Sequence, residues 1–146
     1  ISSLGSGYGE SLHSSTGGDW TYELGWKPFE GFGVYAGWLA AILKGHRAVA
    51  KGLDLPVPVF MATSGARGDN KNPSAEELRG TDVVLSPPQM WRRAAGLGRD
   101  VTVVRINGGR HDLTLSERPA RDRFERELSA WLEARFPVAG KRAPVA

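Results

Sequence analysis

From residue 55 to residue 136 the chain alternates strand-like and helical patterns, yet only two segments read as good strands. That alternation constrains the fold more than any other feature. LPVPVFMATSG (55–65) is a short, valine-rich run closed by Ser-Gly, with prolines near its start, and reads as a buried strand. ARGDNKNPSAEELRGT follows as a polar, turn-rich loop with one helical turn expected over Ala75 to Leu78. PPQMWRRAAGLG opens with prolines that a first helical turn accepts; Met90, Trp91, Ala94, Ala95 and Leu97 form its apolar face, and Gly98 is a stop. RDVTVVRING is the second strand, through Val101, Val103, Val104 and Ile106. Ser116 is placed to cap a last helix that accepts Pro119 in its first turn, turns Ala120, Phe124, Leu128, Trp131 and Leu132 inward, and ends near Phe136–Pro137.

Strands alternating with helices imply an α/β fold with a parallel sheet and right-handed crossovers. Parallel strands are normally covered on both faces inside sheets of several strands, so two strands alone do not make a stable domain. The expectation is therefore the C-terminal part of a larger α/β fold. Residues 1–33 read as irregular, with glycines, serines and the aromatic-rich stretch DWTYELGWKPFEGFG. Residues 34–53 switch to a helical pattern: Val34, Tyr35, Trp38, Leu39, Ile42, His46, Val49 and Leu53 recur at three- and four-residue spacing. His46 lies on that apolar face and is expected as a packed core histidine. The chain starts at Ile1 rather than Met, and ISSLGSGYGES lacks the build of a signal peptide, so processing or truncation of the start is expected. The tail 138–146 is expected to fray.

Composition narrows the chemistry. The chain has 146 residues, 40% of them hydrophobic and 24% charged, within the range of one globular domain. No apolar run approaches the roughly 20 residues needed to cross a bilayer. The absence of cysteine excludes disulfides, thiolate nucleophiles and zinc–thiolate sites. The net charge of +3 invites a nucleic-acid reading, but the basic residues interleave with acids, as Glu117, Asp122 and Glu125 do among Arg118 to Arg126. A phosphate-tracking surface needs a one-signed stripe, so no nucleic-acid partner is expected. The three histidines lack i, i+4 pairing and any H-E-x-x-H string, so no metal or other cofactor is expected. The compartment is not legible in the sequence; the cytoplasm is the default expectation.

In open α/β sheets, ligands bind beyond the carboxyl ends of the strands. Two polar groups fall there: Asp82, in TDVVLS after the first strand, and His111, in GGRHD after the second. A carboxylate that bonds an imidazole fixes its tautomer and stabilises its cation, which makes the ring a general base. Their separation of 29 positions accommodates one crossover helix and one strand. Asp69 in SGARGD is a rival acid, and Asp112 is expected to bond loop amides. His13 is assigned no role.

Together, DVVLS before a helix, the strand VTVVRI, the string GGRHDLTLS and the terminal amphipathic helix with AWL resemble the C-terminal half of an α/β-hydrolase. The resemblance is to the lysophospholipase, monoacylglycerol-lipase and serine-aminopeptidase-like group and covers roughly residues 50–136. It implies residues 1–53 as a cap-like segment and connecting helix, 54–137 as the C-terminal hydrolase portion, and 138–146 as a flexible tail. It further implies a serine hydrolase acting on carboxylic acyl esters with an apolar group, with His111 as base and Asp82 as its orienter. Trp20, Tyr22, Trp26, Phe29 and Tyr35, with Phe32 and Trp38, would line an apolar substrate pocket or simply pack the cap.

The G-x-S-x-G elbow that should precede Asp82 is absent. GSG at 5–7 places its serine between the glycines, and TSGAR at 63–67 lacks the first glycine. The chain alone is therefore expected to be inactive. Its nucleophile, Ser or the Asp of dehalogenase-like relatives, would lie on the missing N-terminal half. The alternative is a non-catalytic module that self-associates or completes its sheet with a partner chain.

Overall fold

The computed structural model describes residues 6–137. The expected frayed tail 138–146 and the start Ile1 to Gly5 lie outside the described residues. The α/β expectation holds at its coarse level: strands β1 (Val59–Ser64) and β2 (Val101–Ile106) form a two-stranded parallel sheet. Val59 pairs with Val101 and the register runs unbroken to Ser64 with Ile106, so both strands end at one level. Between them lie α3 (Ala75–Gly80) and α4 (Pro87–Ala94), and after β2 comes α5 (Arg118–Arg135).

Strand alternation sends residues to opposite faces, and each face has its tryptophan. The Trp131 Nε1–H of α5 donates to Thr102 Oγ1 at 3.0 Å, and its ring packs on Phe60, the cross-strand partner of Thr102. On the opposite face the Trp91 Nε1–H of α4 donates to Thr63 Oγ1 at 2.9 Å, while the Arg105 guanidinium stacks on the indole at 3.8 Å. The α5 side carries the better core. Ile106, Leu113 and Ala120 are buried there, with Ala62, Val104 and Phe124 against them. Burying a side chain such as Ile106 removes it from water at a gain of about 1.5–3 kcal/mol.

Two helix details differ from the sequence reading. Glu117, not Ser116, is the residue that precedes α5, and it makes no side-chain cap. The Ser116 hydroxyl is occupied elsewhere, accepting from the Arg110 amide at 2.9 Å. Leu132 is exposed, because Trp131 takes the contact with the sheet.

The N-terminal segment is more ordered than its composition suggests. α1 (Ser6–Glu10) leads into a 3-10 turn at Ser14–Thr16, and Tyr8 and Leu12 are buried against Val83. Trp20 returns to pair with Leu12 and His13, its amide donating to the Leu12 carbonyl at 2.9 Å. Gly18 makes this return possible: a Cβ there would collide with the Leu12 carbonyl group. His13 is buried in this strap. It accepts the Ser15 amide at Nδ1, and its Nε2 is 3.1 Å from the Tyr22 carbonyl, so the ring braces the turn.

The helix expected over 34–53 is α2 (Ala36–Lys51), but it buries none of its residues. Trp38, Leu39 and Leu43 are exposed, and so is His46, contrary to its expected place in a core. Periodicity marks an apolar stripe; a stripe is buried only where another surface opposes it, and no described element covers this one. No described helix is long and apolar enough to cross a membrane.

Candidate functional site

Asp82 is carried back to the end of β1 by a loop that starts at Gly65. The loop contains α3, whose first turn is closed by a capping box: the Glu77 amide donates to Ser74 Oγ and the Ser74 amide to the Glu77 carboxylate. It closes as a one-residue parallel bridge, with the Asp82 amide donating to the Ala66 carbonyl at 3.0 Å and the Gly68 amide to the Asp82 carbonyl at 2.9 Å. Gly68 lies where a Cβ would collide with Thr81 and Val83, so this close return depends on glycine. The chain then turns sharply, and Asp82 Oδ1 accepts the amides of Val84 and Leu85 at 2.9 and 2.7 Å.

His111 leaves the end of β2 through a turn in which Gly108 has φ 75° and the Gly109 amide donates to the Ile106 carbonyl. Arg110, 3% exposed, anchors this loop from below. Its amide is held by Ser116, its Nε–H donates to the Arg79 carbonyl at 3.3 Å, and Nη2 lies 3.9 Å from Glu117.

These two loops leave neighbouring strands at the same level, and their side chains meet. His111 Nδ1 is 3.2 Å from each carboxylate oxygen of Asp82. The Asp82 side chain is 5% exposed and the His111 side chain 27%, so the acid lies beneath and the ring faces outward. Burial pushes the Asp82 carboxyl up, but the bond to His111 and the Leu85 and Val84 amides outweigh it and hold the group below its ordinary value. The Asp82 bond raises the His111 imidazole above its ordinary value against the opposing effect of burial. A neutral ring so placed carries its proton on Nδ1 and its lone pair on Nε2, for which no described residue is a partner. The arrangement can take and return a proton at Nε2.

The other sequence candidates fall elsewhere. Asp69 is exposed and closes its own turn, accepting the amides of Lys71 and Asn72, which lower its carboxyl below the usual value. Asp112 does not bond loop amides as expected; its carboxylate meets Tyr8 Oη and Lys27 Nζ, each at 3.3 Å. The serine of TSGAR, Ser64, is 1% exposed and bonds Ala66 in its own turn rather than His111. Of the aromatics, Trp20 donates to the Leu115 carbonyl, Tyr22 to the Gly9 carbonyl, and Phe29 packs edge-on against His13. Trp26 and Tyr35 are 85% and 80% exposed, so the five are divided between the strap's packing and the surface. No group of three or more His, Asp or Glu among the described residues is arranged to hold a metal ion.

Sequence reasoning missed Tyr8, which is buried with its ring 5.7 Å from the His111 ring in an edge-on arrangement. Its one signal is a Tyr–Leu pair at i, i+4 within SGYGESLH, a single helical turn in a Gly/Ser-rich setting. A scan against protein-family models, a search of curated proteins and a search of solved structures each gave no match to this chain.

Proposed function

We propose that this chain supplies the acid and the base of an α/β-hydrolase-type active site that cleaves carboxylic acyl esters with an apolar group. The nucleophile would come from a segment or chain that carries the G-x-S-x-G elbow lacking here. The observation that carries this reading is the His111–Asp82 pair: a buried carboxylate braced by two backbone amides, beneath an imidazole at the carboxyl ends of adjacent parallel strands. His111 Nε2 would accept the nucleophile's proton as its oxygen attacks the ester carbonyl. The imidazolium so formed, stabilised by Asp82, would then protonate the departing alcohol. Water, deprotonated by the same nitrogen, would release the acid and restore the nucleophile. General base assistance of this kind contributes about 10²–10⁴-fold in rate.

The test joins this chain to its elbow-bearing segment in the complete gene product. Labelling by a fluorophosphonate and hydrolysis of p-nitrophenyl acyl esters are expected, with both lost in His111→Ala. Labelling and turnover that survive His111→Ala would overturn the proposal. Turnover of a haloalkane or epoxide without fluorophosphonate labelling would assign the nucleophile to an aspartate.

A second reading has its own observation. β1 pairs on one edge only among the described residues, and α2 leaves Trp38, Leu39 and Leu43 exposed. A second copy that completed the sheet would bury both. Sedimentation velocity would then give a dimer over a range of concentrations, whereas a monomer throughout rejects self-association.

A further inference from the structure

The strap meets the segment after β2 through Trp20, which bonds the Leu115 carbonyl, and through Tyr8, which bonds Asp112 beside His111. The Tyr8 hydroxyl accepts the Asp112 amide at 2.9 Å and donates to Asp112 Oδ2 at 3.3 Å, so both of its hydrogen-bonding roles are spent on the residue next to His111. Burial pushes the Tyr8 hydroxyl well above its ordinary value, so it remains a donor at any working pH. Lys27 pairs with the same carboxylate oxygen at 3.3 Å. The groups facing the imidazole are thus Asp82 from beneath, Asp112 from its own loop, and Tyr8 and Lys27 from the strap.

Two carboxylates beside one imidazole compete for it, and only one, Asp82, directs Nε2 outward with the geometry described. Tyr8 and Lys27 occupy the other carboxylate and pin the backbone on which His111 stands. We propose that Tyr8 is a positioning residue for His111: the strap commits Asp112 to Tyr8 and Lys27, which leaves the ring bonded to Asp82 with Nε2 free. The inference rests on the reading of His111 as the proton-transferring group, and it makes the strap part of the active site rather than a cover alone. The general consequence follows from positioning: displacement of a reacting group by about 1 Å costs up to about a hundredfold in rate.

The test uses Tyr8→Phe, which keeps the buried ring and removes both hydroxyl bonds. Nitrogen-resolved NMR of His111 in this chain reports the Nδ1 proton and its exchange with water. Exchange about five- to tenfold faster is expected in Tyr8→Phe, the consequence of one lost hydrogen-bonded anchor. Thr16→Val, which removes bonds to the Glu10 and His13 carbonyls inside the strap, should leave it unchanged. In the complete gene product, kcat should fall at least about tenfold in Tyr8→Phe with KM within about twofold. An unaltered Nδ1 proton in Tyr8→Phe, or an equal change in Thr16→Val, would overturn the proposal. If Tyr8→Phe does not fold, Lys27→Gln carries the test: about twofold faster exchange supports it, and no change refutes it. The NMR measurement needs no nucleophile, so absence of ester turnover in every form counts against the hydrolase reading alone.

Discussion

Replacing Asp82 separates two jobs that its carboxylate performs at once. Asp82→Asn keeps an oxygen for the Val84 and Leu85 amides and removes the charge that faces His111. Asp82→Ala removes all of these acceptors. Hydrogen bonds to a charged group contribute about 1.5–3 kcal/mol, so the Asn variant should lose about 1–2 kcal/mol after allowance for the outward exposure of the ring. Each buried amide left without an acceptor costs about 1–3 kcal/mol, although the amide of Leu85, a partly exposed residue, can turn to water. The Ala variant should therefore lose about 3–5 kcal/mol. The gap between the two measures the turn alone.

The Asn loss has a pH signature. His111 is raised above 6.5, so its contribution is complete below that value and fades as pH rises through the folded-state value. Asp82 is lowered below 3.8, so its contribution is complete above that value and fades as pH falls through the folded-state value. The pair contributes most between those two limits. Urea unfolding followed by tryptophan fluorescence at about pH 5.5 and again at about pH 9 should show the larger Asp82→Asn effect at the lower pH. Equal losses for Asn and Ala, or an Asn loss indifferent to pH, would refute the reasoning.

Two further substitutions test the supports. Ile106→Ala opens a cavity where the fully buried Ile106 meets Leu113 and Ala120 and should cost about 2–5 kcal/mol in urea unfolding. Gly18→Ala drives a methyl group into the Leu12 carbonyl and should release the strap, read as increased proteolytic cleavage between residues 6 and 29 while β1 and β2 stay protected.

The part of the fold that the sequence made legible is the part governed by repetition. β2 and α5 repeat their apolar positions over enough residues to declare their type, and α4 announces itself by its prolines, although it ends at Ala94, short of the expected stop at Gly98, which instead pairs with Leu55. The Asp82–His111 pair was legible because topology places it: each residue follows a strand in a sheet whose carboxyl edge is known in advance. Tyr8 escaped because its contact with Asp112 spans 104 residues and leaves no period. The role of Ser116 was misassigned because a loop amide competes with the helix end for one hydroxyl, and sequence does not rank such rivals. His46 was placed by its stripe, and the stripe has no described surface opposite it.

That separation of 104 residues also fixes an order of events. During synthesis Tyr8 emerges 104 residues before the residue that satisfies its hydroxyl. β1, α3 and α4 can gather while the strap waits with an aromatic ring and a glycine-rich turn exposed. Distant pairings of this kind slow folding, since the chain must close before the contact returns anything. His111 is therefore braced only once a contact of long sequence separation has closed, and a chain stalled before residue 111 holds Asp82 without its imidazole partner.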